Sequence, residues 1–110
     1  MDTVLKNEPW LIEFIQHMSC RPGAYLGGES VTLFQAYLNG AITSRRKLGI
    51  SVFTPEEEHI LVNFEKWMEN KFEITDTRGW WGLIQKIDSS DKNIYTFIRL
   101  FDEFLEQDAS

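Results

Sequence analysis

The sequence predicts an all-α fold: a single compact bundle of about five helices formed by residues 1–110 as one domain. Three observations carry that expectation. Apolar residues recur at i, i+3, i+4, i+7 spacing in successive stretches. The stretches open on capping residues and close on glycine or proline. The connections between them are short, with no repeat, low-complexity tract or domain boundary. A hydrophobic share of 43 %, with eight Phe and four Trp, is enough for a packed core.

The first helix is expected from Pro9 to Met18, with Leu11, Phe14, Ile15 and Met18 on one face. Asn7 or Glu8 precedes a proline suited to the first turn. Pro22 disfavours helix in the residue ahead of it and bounds this element. Ser30 caps a second helix with a stripe of Phe34, Tyr37, Leu38, Ala41 and Ile42. Gly40 inside it costs about 1 kcal/mol relative to alanine, so it marks either close approach of another backbone or a break. Arg45, Arg46 and Lys47 suit the negative end of that helix dipole, and Gly49 stops it.

Thr54-Pro55-Glu56-Glu57 is the clearest start: a threonine cap, proline in the first turn, and Glu57 closing a capping box. Ile60, Leu61, Phe64, Trp67 and Met68 follow on one face, with Glu58, Glu65 and Glu69 just outside it. Residues 72–77 read as a loop. A short helix is expected from about Arg78, with Trp81, Ile84 and Ile87 inward. Adjacent indoles point about 100° apart on a helix, so only one of Trp80 and Trp81 can be central to the core. Ser89-Ser90-Asp91 offers caps for a last helix with the stripe Ile94, Phe97, Ile98, Phe101, Phe104 and Leu105. Residues 107–110 are expected to fray.

Net charge is −6 and uneven. Residues 1–55 hold four acids and five bases, giving +1, whereas residues 56–110 hold thirteen acids and six bases, giving −7. Such a surface repels phosphate backbones, which argues against direct nucleic-acid binding and for a basic protein partner. Acidity that serves solubility alone is the simpler reading of the same numbers. The single cysteine, Cys20, excludes an internal disulfide and suits a reducing cytoplasm. No apolar run approaches the roughly 20 residues of a membrane span, and residues 1–8 lack a signal-peptide pattern.

Chemistry is sparse. A metal site would need His17, Cys20 and His59 together, and no paired ligand motif supports it. Nothing in the sequence brings a base to Cys20, and Glu65 with Glu69 reads as a solvated pair rather than a hydrolase pair. No catalytic, metal or cofactor residue is assigned. The Phe97, Phe101, Phe104 stripe reads as core, and Arg45-Arg46-Lys47 as a helix end.

The run Arg21-Pro22-Gly23-Ala24-Tyr25-Leu26-Gly27-Gly28 has the most specific backbone demand. No Lys-Ser/Thr pair ends it, as a phosphate loop requires. It also resembles a segment of gyrase-type ATPases, but the helix after it, residues 31–39, lacks the acids of their metal and water-activating motif. We read it as an architectural joint. Pro22 ends the first helix, Gly23, Gly27 and Gly28 permit turns, and Tyr25 and Leu26 pin the loop to the core. Tyr25 is therefore expected to be largely buried, and Glu65 and Glu69 are not.

The same run, with Leu33 and Tyr37-Leu38-Asn39-Gly40, resembles small bacterial proteins that share an Arg-Pro-Gly-Met-Tyr-Leu-Gly start and a Phe-rich last helix. Ala24 stands where those proteins have methionine, and Ala41 where they have an aromatic. Several of them are immunity proteins, some paired with contact-dependent growth-inhibition toxins. The resemblance implies a non-enzymatic cytoplasmic protein whose partner is a cognate toxin, such as a nuclease with a basic substrate surface. An α-helical adaptor for another bacterial protein is the alternative. Charge and expected exposure, independently of the resemblance, nominate Glu58, Glu65, Glu69, Asp102, Glu103 and Glu106 as the binding face. Trp80 or Trp81 is the candidate aromatic anchor.

Overall fold

A computed structural model describes residues 9–49, 53–75 and 78–109. Among them the chain is helical and without strands: α1 (Leu11–Cys20), α2 (Pro22–Leu26), α3 (Val31–Lys47), α4 (Pro55–Phe72), α5 (Trp80–Ile87) and α6 (Ile94–Ala109). All five expected helices are present. The sixth, α2, is a short turn of helix inside the expected joint.

Helix α1 begins at Leu11, two residues later than Pro9 predicts, and the Trp10 side chain does not cap it. The cap comes from elsewhere in the chain. Trp10 N and Leu11 N donate to Glu57 Oε2 at 2.8 and 2.6 Å. Asn7 and Glu8 lie outside the described residues.

The predicted capping box of α4 is present. Glu57 N donates to Thr54 Oγ1 (3.2 Å), and Thr54 N donates to Glu57 Oε1 (2.8 Å). Glu57 is only 2 % exposed, so one carboxylate closes the amino ends of two helices that lie far apart in sequence.

Asn93 does comparable work for α3. Its Oδ1 accepts from Val31 N (2.7 Å), and its Nδ2 donates to Asp88 O (3.1 Å). Beside it, Ile94 N donates to Glu29 O (3.0 Å), so the starts of α3 and α6 are tied together. The expected caps Ser89, Ser90 and Asp91 stop short of α6. Asp88 holds this turn instead, accepting from Ser90 N (2.9 Å) and Thr96 Oγ1 (2.5 Å).

The core is aromatic. Phe64 stands edge-on to Phe97 and Phe101 at 5.8 and 5.1 Å. Phe34 joins α3 to α5 and α6 through Trp80 (5.6 Å) and Phe97 (5.0 Å). Such pairs contribute about 0.5–1.5 kcal/mol each beyond area burial. Leu11, Met18, Met68 and Leu83 fill the remaining interior.

Several expectations are corrected. Tyr25 is 41 % exposed rather than buried. In a helix as short as α2, Pro22 and Leu26 (i, i+4) take the inward face, and Tyr25 is turned about 100° away from Leu26. Tyr37, placed in the core stripe of α3, is also exposed, while Val31, Phe34 and Leu38 carry that stripe.

Of the three glycines in the joint, Gly27 requires its residue type by conformation, with φ +75° and an N–H that closes α2 on Gly23 O at 2.9 Å, whereas a Cβ on Gly28 would collide with Leu33 Cδ1 and Gly23 is open. Helix α3 runs unbroken through Gly40, so the break is ruled out. Phe72 belongs to α4, and α6 continues to Ala109 where fraying was expected. Helix α5 starts at Trp80, because Gly79 (φ +95°, ψ −161°) occupies backbone space open essentially to glycine alone.

Candidate functional site

The nominated acids lie on α4 and α6, which meet along an aromatic seam. Phe64 and Trp67 touch Phe104 at 5.5 and 5.8 Å. Trp67 Nε1 donates to Gln107 Oε1 (2.8 Å), and Lys71 Nζ reaches Glu103 Oε1 (2.9 Å) while lying over the Trp67 ring. Glu103 is thus neutralised within the fold.

The remaining acids do not gather into one patch. Glu65 and Trp67 are two positions apart, about 200° on the helix, so they fall on opposite flanks of the Phe64–Met68 line. Trp67 faces α6. Glu65 and Glu69 continue the i, i+4 row of Leu61, which shares a groove with Trp80 and Trp81 beside α5. Glu58 is on that same flank. Asp102, on α6, borders a groove with Ile12, Ile15 and Gln16 of α1, and Glu106 follows it one turn on. The sequence placed six acids on one face; the packing makes two acidic flanks with the α4–α6 seam between them.

Exposure separates them further. Glu58, Asp102 and Glu106 are exposed, and Glu65, Glu69 and Glu103 are half-buried. Partial burial, and then the neighbouring Glu69 carboxylate, push the Glu65 pKa above its ordinary value of 4.5. Among the described residues, Glu58, Glu65, Glu69, Asp102 and Glu106 make no ion pair. The Glu65–Glu69 flank therefore holds like charges without a counterion among the described residues.

The expectation that Trp81 points inward is corrected: Trp80 is the buried indole, 7 % exposed and packed on Phe34 and Phe97, which excludes it as an anchor. Trp81 stands edge-on to it at 5.8 Å, half-exposed on the groove that Leu61 lines. A Cβ on Gly79 would press on the Trp81 ring at 3.0 Å, so that glycine also leaves room for the indole.

Most of the joint is at the surface rather than beneath it, with Pro22 and Leu26 inward. Arg21, Gly23 and Tyr25 are exposed, Pro22 is buried, and Gly28 faces Leu33. Tyr25 lies edge-on to Phe14 (6.1 Å), and Phe14 stacks on Tyr37 (5.1 Å). Sequence reasoning missed this surface aromatic cluster. The available signal was that Tyr37 sits three positions beyond Phe34, at the edge of the stripe.

His17, Cys20 and His59 are all exposed, and among the described residues no three His, Cys, Asp or Glu side chains converge as metal ligands. Arg45 lies over the Trp10 ring at 4.9 Å, which gives one of the three basic residues a structural use. No helix of the described residues is long and apolar enough to cross a membrane. Comparison with family models, curated proteins and solved structures returned no match.

Proposed function

We propose that this chain is an immunity protein: a non-enzymatic cytoplasmic protein that binds and neutralises a cognate bacterial toxin, a nuclease of the contact-dependent growth-inhibition type. One observation carries the reading. Glu65 and Glu69 are held together, half-buried and, among the described residues, without a cation, at a cost those residues do not offset. A docking cation relieves that repulsion, and a nuclease, whose substrate is polyanionic, presents cations. Glu58 on the same flank extends the negative field, and the half-exposed Trp81 is the adjacent aromatic anchor. The Arg21–Gly28 resemblance supports the same assignment. Asp102 and Glu106 form a second acidic flank that steers the approach.

The test is capture of the partner from producing cells, followed by growth rescue. Expression of the chain should protect cells exposed to the captured toxin. The Glu65→Lys/Glu69→Lys variant should fold but protect poorly. If a partner is captured that is not toxic, the chain is an adaptor and the immunity reading is wrong. Full protection by the charge-reversed variant would move the binding face away from α4.

A further inference from the structure

Helix α3 carries a second stripe on its solvent side. Leu33, Tyr37, Gly40, Ser44 and Lys47 follow one another at spacings of four, three, four and three residues, the heptad seam of a helix that packs on another helix. Leu33 and Tyr37 are 39 % and 44 % exposed, and Leu48, the C-cap, is 64 % exposed. Between Tyr37 and Ser44 the surface is hollow, lined by Ala36, Gly40 and Ala41. Gly40 is the feature without an internal explanation. It sits mid-helix at ordinary helix φ, and a Cβ built there meets nothing within 4 Å. The helix-propensity cost of this glycine is therefore uncompensated among the described residues of one molecule.

We propose that the solvent face of α3 is a self-association surface on which a second copy of this chain docks its own α3 antiparallel, crossing at Gly40. The pattern is self-complementary about that residue. With Gly40 on the two-fold axis, Tyr37 of one copy falls opposite Thr43 of the other, over the hollow left by Gly40, Ala41 and Ser44. Leu33 then falls opposite Lys47 and beside Leu48. The missing side chain at Gly40 lets the two backbones approach, which is what a glycine on a crossing point supplies.

Charge selects the antiparallel direction. Helix α3 contains no acid in seventeen residues, and all its cations, Arg45, Arg46 and Lys47, lie at the carboxy end. Glu29, two residues before Val31, lies at the other end, where its carboxylate accepts from the Tyr95 hydroxyl. A parallel pair would set cations against cations; the antiparallel pair brings Arg46 and Lys47 of each copy toward Glu29 of the other. This surface is separate from the Glu65–Glu69 flank, so the proposal stands or falls independently of toxin binding.

Analytical ultracentrifugation of the full chain tests it. The 12.9 kDa monomer should shift toward twice that mass as concentration rises from about 1 to 500 µM. Gly40→Gln should leave the melting temperature unchanged or higher, because it adds helix propensity, yet weaken association by about tenfold or more. In a Cys20→Ser background, Gly40→Cys should oxidise to a linked dimer, since a crossing there brings two Cβ atoms to about 4 Å. Val62→Cys, also exposed but on α4, should not. A wild-type chain that stays at monomer mass throughout, or a Gly40→Gln chain that dimerises as tightly as wild type, overturns the proposal.

Discussion

Replacing Glu57 with glutamine removes the one buried charge among the described residues and probes the two-helix cap directly. The carboxylate accepts three backbone N–H groups, from Thr54, Trp10 and Leu11. Glutamine keeps the volume but offers a single oxygen, and its amide would point N–H donors at one of the two sets. If the oxygen faces Thr54, Trp10 N and Leu11 N are stranded; if it faces α1, the capping box opens. Leu11 is 0 % exposed, so water does not replace the lost acceptor there. One orphaned buried donor costs about 1–3 kcal/mol, and loss of charge assistance adds to it, so Glu57→Gln should destabilise by about 3 kcal/mol.

That is a large share of the roughly 5–15 kcal/mol that holds a domain together. With a urea m-value near 1.5–2 kcal/mol/M, the midpoint should fall by about 1.5–2 M with m unchanged. Glu56→Gln is the control: an exposed acid in the same first turn, worth about 0.3–1 kcal/mol through the helix dipole. Amide exchange at Leu11 should also accelerate in Glu57→Gln. Two equal urea midpoints, with Leu11 still protected, would refute the account of Glu57 as a shared cap.

Asn93→Ala should cost about 2 kcal/mol in urea denaturation by stranding Val31 N, and Asn93→Asp, which keeps the acceptor, should recover part of it. Asp88 has its pKa held below 3.8 chiefly by the Thr96 hydroxyl, then by the Ser90 N–H and hydroxyl. A depressed folded-state pKa gives stability that is present above the unfolded value and lost as pH falls through the folded one. Asp88→Asn should therefore flatten the acid limb of the stability profile below about pH 4. Glu65 has the opposite sign: its raised pKa means that the charged form is disfavoured on folding. Glu65→Gln should stabilise by a few tenths of a kcal/mol at pH 7, and the gain should vanish below about pH 4, where glutamate is protonated in both states.

Local signals were readable in the sequence and long-range ones were not. The Thr54–Glu57 box depends on residues three apart, so its spacing alone announced it. The other oxygen of Glu57, serving α1 from 46 residues away, leaves no trace in sequence, and without it Pro9 looked like the natural helix start. Asn93 was missed for the same reason, since its partner Val31 lies 62 residues earlier. Trp80 and Trp81 illustrate a different limit. Periodicity established that only one indole could be central, but the choice turned on where α5 begins, and the Gly79 backbone sets that.

From sequence, Tyr25 and Leu26 look like a pair anchoring a loop. Once residues 22–26 form a helix, adjacent side chains must diverge, and one of the two faces water. For the nominated acids, sequence supplied the residues and their helices. It could not supply the packing of α4 against both α5 and α6, which places Glu65 and Glu69 on one flank and Trp67 on the other.

The most direct test of the central claim is a nuclease assay with the captured toxin domain, titrated with the purified chain. Activity should fall to background at about one chain per toxin. The Glu65→Lys/Glu69→Lys variant should need a large excess to do the same. Nuclease activity that persists at saturating wild-type chain would contradict that claim.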